Sequence, residues 1–158
     1  MNIFVLHDNP TKAAQMMCDK HVVKMIIESA QMLCTVANEK GHKAPYRTTH
    51  KKHPCTLWVG ESKQNWCWLI QRLDTLCNEY TRRYGRVHKT QKVLEWIKKT
   101  SVNLPSDELT PFALAMPDKY KTKSAVESYR NYYLGEKAKF AKWKMGNTPN
   151  WWTNEKKV

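Results

Sequence analysis

The chain has 158 residues, 41% of them hydrophobic, with 7 Trp, 7 Tyr and 7 Met, which is enough for one domain with a buried core and excludes a disordered chain. Lys and Arg number 27 against 14 Asp and Glu, a formal charge of +13 that makes a polyanion the natural partner. The apolar run Ile3-Phe4-Val5-Leu6 lacks a basic lead-in and is too short for a signal peptide or a membrane span.

Residues Asn2 to Leu6 suit one short strand, followed by the turn His7-Asp8-Asn9-Pro10. Asn9 as cap and Pro10 at the first helical position predict a long helix to about Glu39, stopped by Gly41. Residues 41–53 read as a basic loop. A second long helix is expected from Pro54 to Tyr84, with Gly85 beyond it and Arg82 and Arg83 in its last turn. Residues 89–99 suit a shorter helix, and Pro105, Pro111 and Pro117 mark an irregular stretch. Ser124 and Glu127 form a capping box for a last helix to about Met145. The expected fold is mainly α: a single-domain helical bundle of about four helices over residues 1–158, with room for one short N-terminal strand.

The excess charge is uneven. Residues 1–40 carry four Lys and four acids, whereas Gly41 to His53 holds Lys43, Arg47, Lys51 and Lys52 with no acid. Arg82 to Lys99 has seven cations against Glu95, and Lys119 to Lys144 has eight against Glu127 and Glu136. Such a surface binds nucleic acid through counterion release, with DNA favoured over RNA and a membrane surface disfavoured. The expected contacts are Arg47, His50, Lys51, Lys52, Arg82, Arg83 and Arg130, with Tyr132 and Tyr133 as stacking platforms for an unpaired base. Adjacent rings in Tyr129-Arg130-Asn131-Tyr132-Tyr133 cannot all point into the core from one helix. Trp151-Trp152 in the tail reads as a pin to the core.

On a helical wheel residues 14–37 are apolar over roughly 220°. The remainder is a narrow stripe of Lys20, His21, Lys24, Glu28, Gln31 and Thr35. Lys24 and Glu28 are four apart and His21 and Glu28 seven apart, so the three can share a face. An amine there can form a Schiff base, and a carboxylate or imidazole can move a proton. The catalytic set read from this stripe is Lys24, Glu28, His21 and Lys20, and the competing reading is a solvated face with an ordinary Lys–Glu pair. Asp19 points to the apolar side and is expected to pair with Arg47 or Arg130.

Five cysteines (Cys18, Cys34, Cys55, Cys67, Cys77) form no Cys-x-x-Cys pair, which suits free thiols in a reducing cytoplasm. His50-x-x-His53-Pro54-Cys55 lacks the spacing of a zinc site, and no metal or cofactor is expected. Phosphate loops, dinucleotide fingerprints and paired acids for magnesium are absent from the sequence.

Asp19-Lys20-His21-Val22-Val23-Lys24-Met25, His50-x-x-His53-Pro54 with Trp58, Tyr80-x-x-x-Tyr84-Gly85, Tyr129-Arg130-x-Tyr132-Tyr133 and Pro149-x-Trp151-Trp152 resemble a family of short, basic proteins encoded by tailed bacteriophages. A His often stands in that family where this chain has Met17. The resemblance implies a viral protein working in a bacterial cytoplasm and attaches no activity to it. Two functions therefore stand: an enzyme on nucleic-acid bases, with a DNA glycosylase or glycosylase-lyase as its concrete form, or a non-catalytic nucleic-acid-binding or host-takeover protein. A stripe that lines a pocket favours the first, and one that is flat or buried favours the second.

Overall fold

Helix α1 (Pro10–Met16) starts as the sequence dictates: the Asn9 side chain accepts the Lys12 N–H and Pro10 takes the first helical position. The expected run to Glu39 is nevertheless interrupted, because Met17 and Cys18 are extended and α2 (Asp19–Glu39) begins afresh after them. Both flanks are amphipathic, so the pattern on a wheel hides the break. Distant groups satisfy the amides it frees: Cys18 N donates to the Tyr133 hydroxyl at 3.4 Å and Asp19 N to the Lys142 carbonyl at 2.8 Å. Gly41, at φ 91°, then stops α2 as expected.

The second long helix is likewise two. Helix α3 (Pro54–Val59) is capped by His53, and α4 (Lys63–Tyr84) starts after Ser62, whose hydroxyl accepts the Asn65 N–H. Gly60 and Glu61 form the turn between them. Left-handed Gly85 ends α4. Helix α5 (Gln91–Lys99) follows, and α6 (Ala125–Glu136) starts at the expected Ser124 cap but stops nine residues before Met145. This computed structural model describes residues 1–152.

Helices α2 and α4 run in opposite directions, with Arg83 at the end of α4 meeting Asp19 at the start of α2. Val22, Ile26 and Leu33 of α2 share one hydrophobic cluster with Leu69, Leu73 and Leu76 of α4. Each such burial contributes about 1.5–3 kcal/mol. Trp58 and Trp68 meet edge to face at 5.9 Å within it, and Trp152 is buried, pinning the tail.

The expected strand at Asn2–Leu6 is not formed. Ile3, Phe4, Val5 and Leu6 are all buried, yet no strand lies among the described residues to pair with them, and Phe4 is left-handed at φ 34°. Side chains replace the missing ladder. Asn2 accepts the Phe4 N–H through Oδ1 and donates to the Ala115 carbonyl through Nδ2, while Arg130 Nε donates to the Leu6 carbonyl at 2.9 Å. Arg72 supplies donors to the carbonyls of Ile3 and Phe4.

Candidate functional site

The polar stripe of α2 is narrower than the wheel suggested. Lys20 and Lys24 are exposed and Glu28 is half-buried, with Lys24 Nζ 3.8 Å from Glu28 Oε2, one turn along as expected. His21 does not join them. It is 4% exposed, stacks on Phe4 and shares a 2.6 Å hydrogen bond with the Tyr133 hydroxyl. Burial, then the charges of Lys137 and Lys24, hold its imidazole down at about 3, so it stays neutral and has no free place at Glu28. Thr35 is buried too, its hydroxyl bonded to the backbone of Thr49. Val23 and Ile27 lie on the accessible side of α2 beside Lys20 and Lys24, while His21 packs against Tyr133 of α6.

A group outside the stripe approaches Glu28. The amine of Met1 lies 3.1 Å from Glu28 Oε1. The Met1 side chain is only 4% exposed, whereas the residue as a whole is half-buried, so its exposure falls on the main chain, where the amine is. Glu28 thus has an amine within ion-pair distance of each oxygen, the Met1 amine at the buried Oε1 and that of the 63% exposed Lys24 side chain at Oε2. The Met1 contact lies outside hydrogen-bond geometry.

Lys43, Arg47, His50, Lys51 and Lys52 are all exposed on the loop before α3. Thr35 holds this loop at Thr49, and the Asn38 side chain bonds the backbone of Ala44 and Tyr46. The loop ends in His53, whose Nδ1 accepts the Cys55 N–H. Burial, the Met1 ammonium and His50 pull the His53 imidazole below its ordinary value, and the Glu28 carboxylate opposes them. The basic loop therefore terminates beside the amine–carboxylate pair. No group of three His, Cys, Asp or Glu side chains that could hold a metal ion occurs among the described residues.

Several expected nucleic-acid contacts do other work. The Arg83 side chain is 1% exposed and locked between Asp19 Oδ1 at 3.1 Å and Glu79 Oε1 at 2.9 Å. It is also the partner of Asp19, in place of Arg47 or Arg130, because the end of α4 reaches the start of α2. Arg82 is exposed and bonded to Glu79. Arg130 is half-buried and spends its Nε on the N-terminal segment. Tyr133 is fully buried under α2, which removes it as a platform. Tyr132 remains half-exposed, stacked on Phe4 at 6.0 Å with Lys137 Nζ 4.6 Å above its ring.

One turn from Glu28 toward the start of α2, a cavity of about 640 Å³ opens beside Lys24. Val23, Ile27, Tyr84 and Phe140 give it an apolar lining, to which Lys20 and Lys24 add their charges. Of the stripe, Lys20 and Lys24 line this concavity, and Glu28 and Met1 lie outside its lining.

A protein-family model described as pyrimidine dimer DNA glycosylase matches residues 1–93. The chain belongs to this family. The stretch matched to the pyrimidine dimer DNA glycosylase model contains Met1, Lys24, Glu28, the basic loop, α3 and α4, and leaves out α6. No curated protein and no solved structure matches the chain. No helix among the described residues is long and apolar enough to cross a membrane.

Sequence reasoning missed two residues here. The Met1 amine carries no sequence signal, since a terminal amine is common to all chains. Arg72 did carry one: with Leu69, Leu73 and Leu76 at helical spacing, it falls on the inward face of α4.

Proposed function

We propose that the protein is a DNA glycosylase-lyase for pyrimidine dimers, with the Met1 amine as nucleophile and Glu28 as its proton-handling partner. The 3.1 Å approach of Met1 N to Glu28 Oε1 carries this reading. A neutral amine attacks C1′ of the damaged nucleotide as the bond from C1′ to the base breaks, and the departing base takes the electron pair and is protonated. Glu28 stabilises the positive charge that develops on the sugar and takes the proton that the amine sheds once bonded to C1′. It delivers that proton to the ring oxygen as the bond from C1′ to that oxygen breaks, leaving an iminium. Loss of a C2′ proton then expels the 3′ phosphate. Hydrolysis of the iminium returns the amine.

Met1 serves better than Lys24 because it is held: a group fixed by its backbone is pre-oriented, whereas the exposed Lys24 side chain must be immobilised at each encounter. Lys24, Lys20 and the loop cations Arg47, Lys51 and Lys52 would hold phosphates, and Tyr132 would stack against a displaced base. The similarity to tailed-phage proteins adds a viral source and a bacterial cytoplasm to this reading.

Borohydride reduces an iminium to a stable amine, so incubation with dimer-containing or abasic duplex DNA should leave a covalent adduct. Peptide mapping should place it on Met1, with intact mass establishing that the tested chain begins with a free Met1 amine. An adduct on Lys24 would transfer the nucleophile's role to the stripe. A protein that neither cuts such DNA nor forms an adduct is not this enzyme.

A further inference from the structure

Arg72 is 0% exposed and stands in the middle of α4, in the core. The groups acting on its charge are Tyr133, Tyr129 and Cys55, with no carboxylate among them. Burial draws its guanidinium down to about 10, which leaves it a cation near neutral pH. An unpaired charge is a costly way to fill a core, and a thioether or leucine would pack there without that penalty. Its contacts show what the charge is spent on. Nη1 donates to the carbonyls of Ile3 and Phe4, Nη2 lies 3.4 Å from the Ser29 hydroxyl, and the Trp68 ring lies 5.5 Å away.

Those acceptors belong to two segments that must meet. Ile3 and Phe4 follow Met1 directly, and Ser29 adjoins Glu28. The Phe4 backbone is left-handed, a conformation a bulky residue adopts only when its surroundings enforce it. We infer that Arg72 is a positioning residue, a rigid fork that fixes the Met1 segment to the turn of α2 carrying Glu28 and so sets the gap between amine and carboxylate. It touches neither DNA nor the reacting atoms. The inference rests on the proposed role of Met1.

The test measures borohydride trapping on abasic duplex DNA at saturating DNA, alongside the dissociation constant for the same duplex, in Arg72→Met, Arg72→Lys and Leu73→Ala. Misplacing a reacting group by about 1 Å costs up to about 100-fold. Arg72→Met should therefore trap about 10- to 100-fold more slowly while its dissociation constant stays within about threefold of the parent. Arg72→Lys, with one ammonium for three acceptors, should fall between, and decides the matter if the methionine variant does not fold. Leu73→Ala, a neighbouring core deletion, should melt earlier and trap at the parent rate below its melting temperature. Arg72 variants that trap at the parent rate would overturn the role of Arg72 alone. A parent protein that forms no adduct at Met1 would overturn the amine reading, and the role of Arg72 with it.

Discussion

The Nδ1 atom of His21 lies 2.6 Å from the hydroxyl of Tyr133, joining the helix that carries Glu28 to α6. This imidazole is neutral because it is buried, and its folded value of about 3 lies below its ordinary 6.5. A base depressed in this way binds fewer protons in the fold than in the unfolded chain. The stability it contributes is complete above pH 6.5 and is lost as the pH falls toward 3. By pH 4.5 the loss is about 2–3 kcal/mol. Thermal melts of the parent and His21→Gln between pH 7.5 and 4.5 should show the larger drop in the parent, and equal drops would contradict the assignment.

Glu28→Gln keeps the shape of the site and removes its charge. Single-turnover cleavage of dimer-containing DNA should slow by about 100-fold or more, with binding unchanged within about threefold. Lys24→Ala should leave the trapping rate near the parent's and weaken binding slightly, since Lys24 Nζ forms only a long, exposed contact at 3.8 Å. Gel-based cleavage and fluorescence anisotropy measure the two quantities separately.

The exposed loop and the buried Arg83 should respond oppositely to substitution. Replacing Lys51 and Lys52 by Ala should lower the slope of log binding against log salt by about one for each phosphate left without its cation, with little change in melting temperature. Arg83→Ala breaks a buried pair with Asp19 and Glu79 and should cost about 3–5 kcal/mol of stability. The Arg83→Ala salt slope, measured below its melting temperature, should match the parent's, and a reduced slope would return Arg83 to the DNA-contacting surface.

Helix caps and stops were the most legible part of the sequence. Asn9, Ser124, Gly41 and Gly85 each act where they stand, because a side-chain acceptor or a left-handed glycine works within a few residues. The break at Met17-Cys18 was not legible, since its freed amides go to Tyr133 and Lys142. The one at Gly60-Glu61 is closed locally by the Thr56 and Trp58 carbonyls and the Ser62 cap, signals that the unbroken apolar pattern masked. In the site, the Lys24–Glu28 pair followed from helical spacing alone. His21 was misplaced because a wheel counts polarity, and a histidine given one buried hydroxyl partner behaves as a core residue. The Met1 amine depends on the chain returning to α2 after Arg72 has gathered it, which no local pattern encodes.

Asp19 opens α2 by donating its N–H to the Lys142 carbonyl, its Oδ2 accepts the Lys144 N–H, and Trp143 Nε1 donates to the Met16 carbonyl. The junction between the first two helices is thus closed by residues made more than a hundred positions later. During synthesis, the stretch that resembles the glycosylase family leaves the ribosome first and is finished last. A nascent chain displays Met1 and Glu28 long before the segment that seats α2 has emerged. Closure of the α2 start is thereby tied to a distant segment, and a chain cut before Lys142 would leave the Asp19 amide and the Met16 carbonyl without these partners.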